Sequence, residues 1–328
     1  MPWVVGIDEA GYGPNLGPLV QAAVALRLPE NDPAGWDTLR PWVRRCHERD
    51  DGRLLIDDSK KVYAGAKGFQ RLACAARCGL LVIPEALPKN PDWSNTIWNL
   101  FALSSEETLA GLRAECWLNK NELISPEPVG YEDQFGRHAA MMSHLGGISM
   151  TRTMLVAAPR FNRRIDETGS KATLLADGLI EVLREVPHLG RVAGIDYSAE
   201  PVLVVCDKQG GRNFYGPLLQ EAFPDGWIVP EREGAAESRY RVAGLGREVA
   251  VVFRPKADGD SVCVALASMV CKYLREVCMM QFNAFWQKHV PGLKPTAGYP
   301  VDAKRFYAEI QPAMVKLGLQ PDAVWRKK

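Results

Sequence analysis

Four carboxylates in this sequence stand where apolar runs stop. Asp8 and Glu9 follow WVVGI at 3–7, Asp207 follows PVLVVC at 201–206, and Asp258 lies in RPKADGDS after EVAVVF at 248–253. One aspartate at a strand end commonly caps a turn or a helix. Several at one sheet edge repel one another unless cations neutralise them. Mg²⁺ or Mn²⁺ suits such a set, because hard divalent ions take oxygen ligands. Two ions about 3.5–4 Å apart would activate a water and stabilise a leaving oxygen in phosphodiester cleavage.

The elements that must position these acids read as α/β, with strand, acid, turn and helix recurring. Functional groups in open α/β sheets collect where strands end and loops begin. WVVGI and LVQAAVALRL at 19–28 are expected to pair as an N-terminal hairpin around the turn DEAGYGPNLGP. Helical spacing recurs over 64–78, 94–114 and 172–186, and LLVIP at 80–84 reads as a strand. The pattern is weakest over 117–170, so 117–200 is expected to form an insertion or subdomain within one enlarged domain of 1–328. In the helix after Asp258, Val262, Leu266, Met269, Val270, Tyr273, Val277 and Met280 share a core stripe. Ser261, Ser268, Lys272 and Arg275 share the opposite side, which reads as a solvated face unless Ser268 and Lys272 support the acids or a phosphate.

Composition excludes other classes. The 328 residues are 47% hydrophobic and 24% charged, which describes a folded chain rather than a disordered one. Forty Lys plus Arg against 39 Asp plus Glu give a net charge of +1, so any polyanion must meet a local patch. The eight cysteines form no CxxC pair and no cluster at zinc spacing. Reduced, apolar cysteines predict a cytoplasmic setting. Acids at positions 8 and 9 do not suit a signal peptide. No apolar run approaches the roughly 18 residues of a membrane span, so no membrane partner is expected. The run RRCHERDDGR is expected to be a solvated helix end and loop.

GIDEAGYGPNLGPLV resembles the opening of the type 2 ribonucleases H, the ribonuclease HII and HIII family, in which a strand delivers an Asp-Glu pair into a Gly-x-Gly loop. IDDSKKV at 56–62 is similar to the family's Asp-Ser-Lys-Lys segment, and Asn95 with its following apolar run to a later helix. PKADGDSVCVALASMVCKYLRE is similar to the segment in which Lys-Ala-Asp precedes Ala-Ser-x-x-x-Lys, here Ala267, Ser268 and Lys272. TAGYP at 296–300 resembles the Gly-Tyr element near the family's end.

The resemblance implies a mixed RNase H-like sheet, with N-terminal antiparallel strands followed by parallel strands, flanked by helices and closed by a helical C-terminal region. It also implies two-metal hydrolysis of the RNA strand of RNA/DNA hybrids, leaving 3′-hydroxyl and 5′-phosphate ends. Asp8, Glu9, Asp207 and Asp258 then carry catalysis and the metals. Asp177 in LLADG is the rival third acid, but its flanks continue as a helix whereas LVVCD ends a strand. Ser59, Lys60, Lys61, Ser268 and Lys272 fall at substrate positions, and Tyr299 stacks near the sugar at the cut. Backbone groups of Gly11, Tyr12 and Gly13 would contact the ribose 2′-hydroxyl that DNA lacks. Tyr12 stands where the family usually has Arg or Lys, so one phosphate-contacting charge is missing. Extra sequence lies between Asn95 and Asp207 and between Asp207 and Asp258. Lys208, Arg212, Arg160, Arg163 and Arg164 either extend a phosphate-tracking surface or are merely solvated.

Two other classes compete. A catalytically silent nucleic-acid binder on the same fold would need no divalent ion to hold a hybrid. A nucleotide phosphotransferase would need a phosphate-binding loop, and GYGPNLG lacks its GK[ST] ending.

Overall fold

The computed structural model describes residues 2–80, 106–118, 149–192, 195–196 and 198–327. The LLVIP strand, apart from Leu80, the first part of the 94–114 helix with Asn95, and most of 117–148 lie outside the described residues. Its centre is a seven-stranded mixed sheet. In chain order the strands are β1 (Trp3–Ala10), β2 (Leu19–Arg27), β3 (Ser149–Val156), β4 (Val202–Asp207), β5 (Trp227–Arg232), β6 (Ser238–Ala243) and β7 (Val249–Arg254). They lie side by side as β3-β2-β1-β4-β7-β6-β5. β1 and β2 form the expected antiparallel hairpin, with Asp8 opposite Ala22. β1, β4 and β7 run parallel at the centre, with Ile7 beside Cys206 and Asp207 beside Arg254.

Strand alternation distributes the core over two faces. Val4, Val24 and Val205 join the cluster that contains the long helix, whereas Val5, Ile7, Val204 and Phe253 join the opposite cluster. The same period-2 rule puts Asp8 with Val4, and Asp207 with Val205, on the long-helix side. Helices described here are α1 (Ser59–Tyr63), α2 (Gly68–Leu80), α3 (Glu106–Arg113), α4 (Ala158–Thr168), α5 (Lys171–Arg184), α6 (Gly216–Ala222), α7 (Ala257–Asp260), α8 (Val262–His289) and α9 (Pro300–Lys316). α8 covers one face of the sheet, while α5 and α6 supply apolar residues to the other.

Three sequence expectations change here. Ser261, Ser268 and Arg275 are buried, so the polar side of α8 is not a solvated face. A helix with protein on all sides buries polar residues when they find partners, which sequence periodicity does not reveal. Within the 117–200 segment, Ser149–Val156 pairs with β2 as the edge strand of the main sheet. The added sequence between Asp207 and Asp258 forms α6 and the β5–β6 hairpin, which widen the sheet at its other edge.

Gly6 explains how α8 comes so close. A Cβ there would stand 2.1 Å from both the Cys263 carbonyl carbon and the Val264 backbone nitrogen. Backbone on both sides cannot yield as a flexible side chain can. Gly6→Ala is therefore expected to cost about 3 kcal/mol or more, read as a lowered urea midpoint. A midpoint unchanged from wild type would show that the helix rides free of β1.

Candidate active site

The three parallel strands deliver their acids to one edge. β1 ends through Asp8 and Glu9, β4 ends at Asp207, and β7 leads through a tight turn into α7, which carries Asp258. All four carboxylates line one cavity of about 610 Å³. Gly11, Tyr12, Gly13, Ser59, Lys60, Lys61, Ser268, Lys272 and Tyr299 line it too. Asp177 does not. It sits on α5 and holds the Arg164 guanidinium at 2.6 and 2.9 Å, in a separate cavity of about 470 Å³ that Arg160 and Arg163 also line.

Backbone and side-chain contacts set each acid. Asp8 accepts the Glu9 amide at 2.8 Å, and Cys271 donates its thiol to the Asp8 carbonyl at 3.2 Å. Asp207 accepts the Ala257 amide at 3.1 Å, which ties the end of β4 to the start of α7. Desolvation by burial raises the Asp8 carboxyl to about 7, with Asp207 and Asp258 adding to the rise and Ser268 opposing it. Desolvation likewise raises Glu9 to about 8, reinforced by Asp8 and Asp207. Asp207 and Asp258 are also raised, first by desolvation, and Asp58 and Asp207 push Asp258 further. Burial and mutual repulsion thus act in one direction on all four.

The cavity wall opposite the sheet comes from α1 and α8. Asp58 caps α1 by accepting the Lys60 amide at 2.8 Å. Ser268 donates to the Ser59 hydroxyl at 3.0 Å, joining the two helices beside Asp8. Lys60 and Lys61 are exposed at the mouth. Lys272 pairs with Glu276 and lies 4.5 Å from the Tyr63 ring centroid, so its charge is held in place. Tyr299, which precedes α9, is 53% exposed and presents its ring to solvent. Tyr12 packs on the apolar cluster around Phe161, with the Lys171 ammonium 4.9 Å from its ring centroid.

Sequence reasoning passed over Arg45, Asp57, Asp58, Lys256 and Arg275, which also line the cavity. Arg45 belongs to the charge run assigned to solvent, yet it donates to the Gly259 carbonyl and to Asp57, each at 3.2 Å. Asp57 is buried and desolvated, but the Cys46 and Asp58 amides and Arg45 hold its carboxyl below the ordinary value. Lys256 has φ 58°, the left-handed region in which a residue other than glycine is strained. One available signal was the adjacency of Asp57 and Asp58 to Ser59 and Lys60.

Among the described residues, no three Asp, Glu, His or Cys side chains already stand as a closed metal shell. The donor set nevertheless suits hard divalent cations. Four oxygen-donor carboxylates share a cavity in which burial raises every one of them, and a divalent ion relieves that cost most directly.

No family model and no curated protein sequence matches the chain. Several solved structures are similar to it in fold over nearly its whole length. A chain of the PCNA:RNase HII complex from Archaeoglobus fulgidus is 15% identical at TM-score 0.40, over 99% of this chain and 94% of that one. Ribonuclease H2 from Pyrococcus horikoshii OT3 is 16% identical at TM-score 0.44, over 98% and 92%. Bst-RNase HIII in complex with Mn²⁺ is 15% identical at TM-score 0.41, over 99% and 66%.

Proposed function

We propose that this chain is a divalent-metal-dependent endonuclease that hydrolyses the RNA strand of RNA/DNA hybrids, leaving 3′-hydroxyl and 5′-phosphate ends. One observation carries the proposal: four carboxylates from three strand ends share a cavity rimmed by Lys60, Lys61, Lys256, Lys272 and Arg45. Acids alone would repel a polyanion, and lysines alone would not cut it. Asp8, Glu9, Asp207 and Asp258 would hold two Mg²⁺ or Mn²⁺ ions, which supply charge neutralisation and a water acidic enough to attack phosphorus. Lys60 and Lys61 would hold backbone phosphates at the mouth. The exposed Tyr299 ring offers a stacking surface for the nucleotide at the cut. The Gly11-Tyr12-Gly13 backbone would meet the ribose 2′-hydroxyl. Among the described residues no helix is long and apolar enough to cross a membrane, and the seven described cysteines are free. We place the enzyme in a reducing cytoplasm on that basis.

A labelled RNA/DNA hybrid is expected to be cut only when Mg²⁺ or Mn²⁺ is added, with 5′-phosphate on the new ends. Intact hybrid with both metals across a range of salt would overturn the proposal. Replacing Lys60 and Lys61 together by Ala is expected to weaken hybrid binding and flatten its salt dependence by about two log units per log unit of salt, near 0.9 for each phosphate released. An unchanged slope would remove the two lysines from the phosphate track.

A further inference from the structure

Arg326 lies more than three hundred positions from the glycine loop, yet its guanidinium is fully buried beneath that loop. One terminal nitrogen donates to the Gly11 carbonyl at 2.8 Å and the Gly17 carbonyl at 3.2 Å, and the other donates to the Tyr12 carbonyl at 3.3 Å. Its carbon sits 4.0 Å from the Phe161 ring centroid. The backbone of Arg326 pairs with Asn15 in both directions, at 2.9 and 3.2 Å. Asn162 on α4 receives the Lys327 amide and donates to the Asp322 and Trp325 carbonyls. A second buried guanidinium, Arg275, donates to the carbonyls of Leu16, Pro18 and Ala297. Gly11 and Gly298, both at positive φ, allow this approach, since a Cβ on either would strike backbone oxygen at 2.6 or 2.4 Å.

This arrangement determines where the loop's amides point. In a planar trans peptide the C=O of one residue and the N–H of the next point in opposite directions. With the Gly11 and Tyr12 carbonyls drawn down onto Arg326, the Tyr12 and Gly13 N–H groups face away from it. Neither of those amides donates to an acceptor among the described residues. Both residues line the acidic cavity. A buried cation on the carbonyls also polarises these peptides and strengthens their donors.

We infer that Arg326 is a positioning residue that turns the Tyr12 and Gly13 amides into the cavity to receive an oxygen acceptor of the substrate sugar. The inference rests on the hybrid-cleaving reading for the identity of that acceptor, while the clamp itself can be tested without substrate. Lys at 326 keeps the charge but cannot span three carbonyls as a planar guanidinium does.

In the full-length Arg326→Lys variant, the Asn15 and Leu16 amides, which donate to the Gly298 carbonyl, are expected to exchange hydrogen about tenfold faster, with the sheet unchanged. kcat/KM on a hybrid is expected to fall ~10- to 100-fold, the usual range for a lost supporting contact. The melting response to Mn²⁺ should persist, because no carboxylate has changed. Unaltered exchange would overturn the clamp. Faster exchange with unaltered kcat/KM would overturn the presentation of the amides. A wild-type protein that leaves hybrids intact would instead overturn the proposed substrate, and the exchange rates would still decide for or against the clamp. Phe161→Leu removes the ring but not the hydrogen bonds, and should move both readouts in the same direction if Arg326→Lys does not fold.

Discussion

Replacing Asp8 by Asn is expected to lower the rate of hybrid cleavage by about 10³-fold or more, with the fold intact. The carboxamide preserves shape while removing one full negative charge and one anionic oxygen donor. A cation at such a site is worth several kcal/mol of charge stabilisation, and about 4 kcal/mol corresponds to 10³ in rate. Asp8 is the most informative of the four acids because its carboxylate is close enough to Asp207 and Asp258 for their charges to raise it. The assay is single-turnover cleavage of a labelled hybrid at saturating Mn²⁺, beside a circular dichroism spectrum matching wild type. A rate within about tenfold of wild type would mean that the reacting phosphate lies elsewhere. Titrating hybrid binding with and without Mg²⁺ separates a silent binder, which needs no ion.

The second large effect concerns stability and has the opposite sign for the same substitution. Asp8 and Glu9 are raised from ordinary values of 3.8 and 4.5 to about 7 and about 8. The folded chain therefore holds more protons than the unfolded chain between pH ~4 and ~8, so stability falls as pH rises through that window. The stabilising protons are fully bound below about pH 4 and lost above about pH 8. Without divalent cations, wild type at pH 8 should be several kcal/mol less stable than at pH 5, unless other groups compensate. Asp8→Asn removes one buried charge and should melt higher than wild type at pH 8. Each kcal/mol is worth roughly 2–4 °C in chains somewhat shorter than this one. Adding Mn²⁺ should raise the wild-type melting temperature by several degrees and leave the variant nearly unmoved. Chelation with EDTA should reverse the gain. A wild-type protein indifferent to Mn²⁺ at pH 8 would contradict cation binding by these carboxylates.

The legible part of the site was local in sequence. An apolar run followed by an acid marks a strand end, and the acids in the GIDEAG, LVVCD and PKADGD segments could be singled out without any knowledge of neighbours. Asp207 and Asp177 differ in the same way, one ending a strand and the other flanked by helical spacing. Ser149–Val156 was harder. An edge strand with SMTRTMLV carries a mixed polar pattern, and only its pairing with β2 makes it part of the sheet. The buried polar side of α8 misled for a related reason. Periodicity reports which residues are apolar, whereas burial of Ser268 and Arg275 depends on acceptors that α1 and two distant loops bring to them.

The amino-acid order by itself determined the two β-strands of the hairpin, the parallel strands that end in acids, and the kind of chemistry those acids permit, because each depends on residues within a few positions of one another. Tertiary structure alone decided that the acids share one desolvated cavity, that Arg45, Asp58 and Lys256 join them, and that Arg326 holds the glycine loop from beneath. Those facts depend on contacts between residues up to 315 positions apart. Desolvation and hydrogen bonding to distant carbonyls are properties of the packed assembly, and no local pattern encodes them.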